Sequence, residues 1–144
     1  MTEAERQLGR RWFEEVWNKG RREAIGEMIG PDSLVHDGGV DSRGPEGFYQ
    51  LFDRMTAAFS DIHFDVEDLV AENDKVCVRW SFSAKHSGDG LGIEPTGTKI
   101  NVTGISILQV AGTIFAEGWQ NWDMMGMMEQ LKGKLESRTL VAVS

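Results

Sequence analysis

Cysteine is almost absent. Cys77 is the only one in 144 residues, so no internal disulfide can form and a reducing compartment is compatible. Histidine is scarce too. His36, His63 and His86 are the only three, and none has a second His or a Cys at ligand spacing, so no metal motif is legible. No Gly-x-Ser-x-Gly elbow occurs, and "GDGLG" lacks the strand-to-helix turn and the lysine of a phosphate loop. No apolar run is long enough to span a bilayer, and the opening "MTEAERQLGRRW" has no hydrophobic signal core. The sequence therefore reads as cytoplasmic. Basic residues are in deficit: 15 Lys plus Arg stand against 23 Asp plus Glu, net −8. A surface of that sign repels nucleic acid and anionic membranes, so neither is expected as a partner.

What is present suits an ordinary globular chain, 40% apolar and 26% charged, with room for one sizeable core. A single domain over residues 1–144 is expected. Leu8, Trp12 and Val16, with Phe13 and Trp17 beside them, recur at helical spacing up to Asn18, and Gly20 would end that helix. "REAIGEMI" reads as a short second helix and "SLVHD" as a brief extended segment. Pro45 suits the first turn of a third helix bearing Phe48, Leu51, Phe52, Met55 and Phe59. After Asp61 the period changes to two. "IHFDVEDLVA", "KVCVRWSFSAKH", "KINVTGISILQV" and "TIFAEGWQNW" read as strands, with turns at Asn73-Asp74 and Ala111-Gly112 and a Gly- and Pro-rich loop between the second and third. A terminal helix follows. Helices first and antiparallel strands afterwards is the α+β pattern, with the helices packed on one face of a curved, mainly antiparallel sheet that can enclose an apolar pocket.

Strand alternation from Val76 places His86 on the face of Val78, Trp80, Phe82 and Ala84, either as a satisfied structural residue or as a pocket residue. His63 should point away from the core. His36 precedes a Gly-Gly turn and is equally compatible with solvent and with the pocket. On the last strand Phe115, Trp119 and Asp123 share a parity, and on its partner Thr103, Ile105, Ile107 and Gln109 do. If those rows meet, Asp123 faces apolar side chains. A carboxyl group so placed can act as a general acid/base, while the same residue could equally cap the terminal helix. Met124, Met125, Met127 and Met128 would serve as core filling, a dimer contact or a flexible pocket wall.

Three stretches resemble a known family. "FEEVWNKG" with "PDSLVHD" resembles its opening helix and first strand. "AKHSGDGLGIEPTGTKI" resembles its His-x-Gly…Gly-x-x-Pro-Thr-Gly loop, and "EGWQNWDMMGMMEQL" its Trp-x-x-x-Asp strand end with the helix that follows. On these residues the chain is similar to the SnoaL-like polyketide cyclases, or ester cyclases, of the nuclear-transport-factor-2-like superfamily. The resemblance implies a cone-shaped α+β barrel and cofactor-independent, aldol-type cyclisation of a small polyketide-like or other carbonyl compound. It makes Asp123 the acid/base. His86 and His36 would supply donors to the enolate, and Phe59, Trp80, Ile105, Ile107, Gln109 and Trp119 would line a pocket for a small apolar or aromatic molecule. It also implies a homodimer formed through the convex sheet face, where Cys77, Ser81 and Ser83 are small enough for close packing. Neither a metal nor a cofactor is expected. The competing readings are a non-catalytic binder of a small apolar ligand and an epoxide-hydrolase- or isomerase-like relative.

Overall fold

The computed structural model describes residues 2–143, with the side chains of residues 3–133. The order is α1 (Thr2–Arg11), a π-helical stretch (Trp12–Asn18), α2 (Ala24–Met28), β1 (Ile29–Asp37), β2 (Val40–Arg43), α3 (Glu46–Ala58), β3 (Phe59–Glu72), β4 (Lys75–His86), β5 (Lys99–Ala111), β6 (Ile114–Trp122) and α4 (Met124–Val143). Six strands form one sheet in the order β2-β1-β6-β5-β4-β3. All neighbours are antiparallel except β1 and β6. The expected α+β cone is the fold observed: helices cover the inner face of a curled sheet.

The first helix does not run uniformly to Asn18. From Trp12 it widens to i→i+5 bonding, as in the bond from the Lys19 amide to the Glu14 carbonyl (2.8 Å). The wider turn buries Trp12, Phe13, Val16 and Trp17 together, a broader apolar face than one α-helical stripe offers. Those rings meet the sheet. Trp12 lies edge-on to Phe48 at 4.7 Å, Trp17 stacks on Phe64 at 5.2 Å, and Phe64 stacks on Phe82 at 4.9 Å. β4 alternates as expected, with Val76, Val78, Trp80, Phe82, Ala84 and His86 all buried. The β3–β4 hairpin turns through Asn73 and Asp74, both with positive φ (50° and 63°), the conformation a two-residue hairpin needs and Asn and Asp tolerate. The short edge strand β2 is an addition to the sequence reading. The Gly38-Gly39 turn folds it back on β1.

The largest departure is in β5 and β6. The inward row of β5 is Ile100, Val102, Gly104 and Ser106, not Thr103, Ile105, Ile107 and Gln109. Ile105 and Ile107 are 48% and 40% exposed on the outer face. In β6 a bulge breaks the alternation: Gln109 pairs with Glu117, but Val110 pairs with Phe115. One extra residue flips every side chain after it. Phe115 therefore points in, while Trp119 pairs with Ile107 and with His36 on the outer face. No helix among the described residues is long and apolar enough to cross a membrane.

Candidate functional site

Inside the cone, the inward rows bring polar groups to an otherwise aromatic wall. Gly104 sits between Trp80 on β4 and Trp122 on β6, its partners in the two ladders. Having no side chain, it leaves room for both indoles. The Trp80 indole N–H donates to Ser106 Oγ (3.0 Å), and that hydroxyl donates to Gln120 Oε1 (3.4 Å). With its oxygen so engaged, Gln120 turns its amide nitrogen toward Asp37, the last residue of β1. Burial pushes the Asp37 carboxyl above its ordinary value. Side-chain donors on Trp122 and Gln120 and the charge of Arg54 pull the other way without cancelling the shift.

Asp37 opens on a cleft of about 630 Å³ between the end of β1, α3 and the start of α4, within the range of small-molecule sites. Val35, Phe48, Leu51 and Trp122 form its apolar surface, and Gln50 and Arg54 come from α3. Val35 and Phe48 also border a void of about 40 Å³ beneath Trp12 and Phe115, and Leu51 and Trp122 border one of about 20 Å³ beside Trp80. The cleft is therefore large enough for a small molecule, while the inner voids admit at most a water-sized group or two. Among the described residues no group of three or more His, Cys, Asp or Glu side chains is arranged to hold a metal.

The residues expected at the site fall in several places. Trp80 is buried and lines the smaller void. Phe59 is buried against His86, with ring centres 5.5 Å apart, away from the cleft. His86 is fully buried, not at a rim. Its Nδ1 accepts the Thr96 amide (3.1 Å), its backbone amide donates to the Thr98 carbonyl and its carbonyl accepts from Gly97. The ring thus pins the Gly- and Pro-rich loop, and burial lowers its pKa and keeps it neutral. His86→Ala is expected to lower stability by roughly 2–4 kcal/mol, from the cavity left and the lost bond from the Thr96 amide, as a urea titration would read.

His36 lies outside. It stacks on Trp119 at 5.6 Å and donates from Nδ1 to Asp41 and from Nε2 to Glu117, both at 2.7 Å. Those two carboxylates, Asp41 first, raise its pKa. Five expected site residues thus belong to the convex surface: His36 by the alternation of β1, in which Val35 and Asp37 face the cleft, Trp119 by the β6 bulge, and Ile105, Ile107 and Gln109 by the true β5 parity. His63 is exposed beside Asp65, pointing away from the core as its alternation required. Asp123 is exposed, and its Oδ1 accepts the Gly126 amide at 2.9 Å. It caps α4 and borders a shallow outer groove with Arg79, Thr103 and Ile105, not the interior cleft.

Asp37, Gln120, Ser106 and Arg54 escaped the sequence reading. One signal was available. Ser106 and Gly104 share a parity with the apolar Ile100 and Val102, so small and polar residues on an apolar row marked a place where something else must fit.

A six-stranded cone with an interior cleft defines a nuclear-transport-factor-2-like fold. The family model for SnoaL-like polyketide cyclases matches residues 7–131, and the chain belongs to that family. Among solved structures, TsrD from Streptomyces laurentii is 27% identical with a TM-score of 0.79, covering 91% of this chain and 96% of its own. A candidate polyketide cyclase from Acidithiobacillus ferrooxidans is 28% identical with a TM-score of 0.78 and the same coverage, 91% and 96%. AclR from Streptomyces galilaeus, a candidate hydroxylase, reaches a TM-score of 0.84 at 21% identity, covering 92% of this chain and 98% of its own. At that identity the likeness shows the fold alone. A search of the curated proteins found no match.

Proposed function

We propose that the chain is a cofactor-independent enzyme of the cyclase type, acting on a small polyketide-like or other carbonyl compound, with Asp37 as its acid/base in place of the expected Asp123. One observation carries this reading: Asp37 is the only carboxyl group among the described residues that line the interior cleft, and its setting raises its pKa. Ionised, it takes a proton from a carbon next to a carbonyl, and the C–H electron pair becomes the enolate. The enolate carbon then bonds to a second carbonyl carbon of the same molecule. That carbonyl's oxygen receives the displaced electron pair and takes the proton back from Asp37, which leaves the enzyme as it began. Burial brings the carboxyl nearer the pH at which it can both accept and return a proton. Trp122 and Gln120 hold it in orientation, and the Trp80–Ser106–Gln120 chain fixes the Gln120 amide.

The test needs no knowledge of the natural substrate. 2-Tetralone, a neutral bicyclic ketone, exchanges its α-hydrogens for deuterium in D₂O, and NMR reads the rate. The protein and its Asp123→Asn variant should accelerate that exchange, and Asp37→Asn should not. Acceleration that survives Asp37→Asn and is lost in Asp123→Asn would return the acid/base role to Asp123.

The homodimer is likewise a proposal. Val70, Ile105 and Ile107 leave a large apolar area exposed on the convex face (63%, 48% and 40%), and Cys77 lies between Val70 and Ile107 on that face. A second copy laid on that face would remove the patch from water. Light scattering should give about twice the 16.1 kDa chain mass, falling toward one chain in Ile107→Glu. A monomer at tens of micromolar would sink the idea.

A further inference from the structure

Arg54 is the only cation among the described residues that line the cleft, and no described carboxylate is paired with it. Gly47, Gln50, Leu51 and Arg54 all line the cleft from α3, and their spacing of three, four and seven residues is one helix face. Arg54 is exposed at the rim and forms no ion pair or side-chain hydrogen bond with any described residue. Arg6 and Arg10 likewise hold no carboxylate among the described residues, but neither lines the cleft. Arg11, Arg21, Arg22, Arg43 and Arg79 each hold a carboxylate. Asp53, the residue next to Arg54, is already taken by Nε and Nη2 of Arg22 (2.8 and 3.0 Å). Asp37 lies on the opposite wall, near enough to feel the Arg54 charge but not joined to it. Trp122, Leu51 and Phe48 supply apolar lining to the same cleft.

We propose that Arg54 anchors a free carboxylate, and that the substrate is therefore an anionic aromatic or polyketide-like carbonyl acid rather than its neutral ester. This rests on the cleft being the site of the acid/base reading above. A guanidinium offers two parallel N–H groups that match a carboxylate, a fit an ester lacks. Gln50, one helical turn before Arg54, adds an amide donor on the same face. With the carboxylate held at the rim, the rings lie over Trp122 and the reacting carbon reaches inward toward Asp37. Elsewhere the acidic surface repels anions, so the cleft would select them by the one unneutralised cation it presents.

2-Naphthoate and its methyl ester test this, with affinity read by calorimetry and by quenching of tryptophan fluorescence. The protein should bind 2-naphthoate about tenfold more tightly than methyl 2-naphthoate, a charge-assisted contact being worth at least that factor. Arg54→Gln should erase the preference by weakening the acid far more than the ester, and Arg54→Lys should keep part of it. Added salt should shrink the preference in the parent protein and not in Arg54→Gln. Equal affinity for acid and ester in the parent protein, or a preference that survives Arg54→Gln, overturns the anchor. So does failure to bind either probe. 2-Tetralone carries no carboxylate for Arg54 to hold, so its deuterium exchange tests the acid/base reading separately.

Discussion

Asp37→Asn is expected to lower the rate of catalysis by at least about a hundredfold, the usual worth of a positioned acid/base, and to leave the fold intact. Asparagine has nearly the same shape and cannot accept a proton at neutral pH. The stability effect has a definite sign. Burial raises the Asp37 pKa above the ordinary carboxylate value despite the donors of Trp122 and Gln120 and the charge of Arg54. The native state therefore holds this proton more tightly than the unfolded chain does. The stabilisation from that proton is fully present below the unfolded pKa and is lost as pH rises through the raised folded value. Asp53, whose pKa is lowered by Arg22, shifts stability in the opposite direction, and Glu15, His36 and His86 are shifted too, so the raw pH profile mixes them all. The difference between parent and variant isolates Asp37. Asp37→Asn should be at least as stable as the parent at neutral pH, and the gap should close as pH falls toward the ordinary carboxylate range. Urea titrations at several pH values would read it. A variant clearly less stable at neutral pH would mean that the ionised carboxylate is a structural partner of Trp122 and Gln120, and the acid/base assignment would lose its physical basis.

The two halves of the chain were legible to different degrees, for reasons that lie in particular residues. β4 could be read from its alternation alone, because Val76 to His86 keeps one period and one apolar row. The cone followed from it and from the helical spacing of Trp12, Phe13, Val16 and Trp17, although the π-helical turn that buries all four is a tertiary effect. β5 misleads because its bulkier apolar residues, Ile105 and Ile107, lie on the outer face, while its inner face carries Gly104 and Ser106. Hydrophobicity alone selects the wrong row wherever a sheet has a second apolar face. In β6 the bulge between the pairs Gln109–Glu117 and Val110–Phe115 carries no mark that a period count can detect. Asp123 was read with both of its alternatives, and the structure displays the cap. Asp37 went unread since its neighbours on the cleft, Arg54 and Trp122, are brought there only by tertiary folding.

Gly104→Ala is expected to be among the most damaging single-atom additions to the protein. A Cβ at position 104 would lie within 2.5 Å of Trp80 Cη2 and 2.8 Å from Trp122 Cβ, closer than real carbon contacts come. Neither neighbour can simply step aside. Trp80 is hemmed by Phe64 at 5.1 Å and Phe13 at 6.0 Å, and its N–H is tied to Ser106. Trp122 has its contact at its own Cβ, so relief there requires moving β6 backbone. Overpacking of this kind costs typically about 1–3 kcal/mol, or roughly 3–8 °C in melting temperature for a domain of this size. Gly118→Ala is the matched control in the neighbouring strand, since its nearest contact would be an ordinary 3.4 Å to Leu108 Cδ2. It should cost well under about 1 kcal/mol. Function should suffer along with stability in Gly104→Ala alone. Moving Trp80 pulls on Ser106 and hence on Gln120, and moving Trp122 takes a donor from Asp37. A Trp80→Phe background tests the cause: the smaller ring opens space beside position 104, so Gly104→Ala should cost less there than in the parent, a non-additivity that adjoining residues show and distant ones do not. Equal costs in both backgrounds, or equal costs for Gly104→Ala and Gly118→Ala, would show that the two indoles do not set the demand for glycine at position 104.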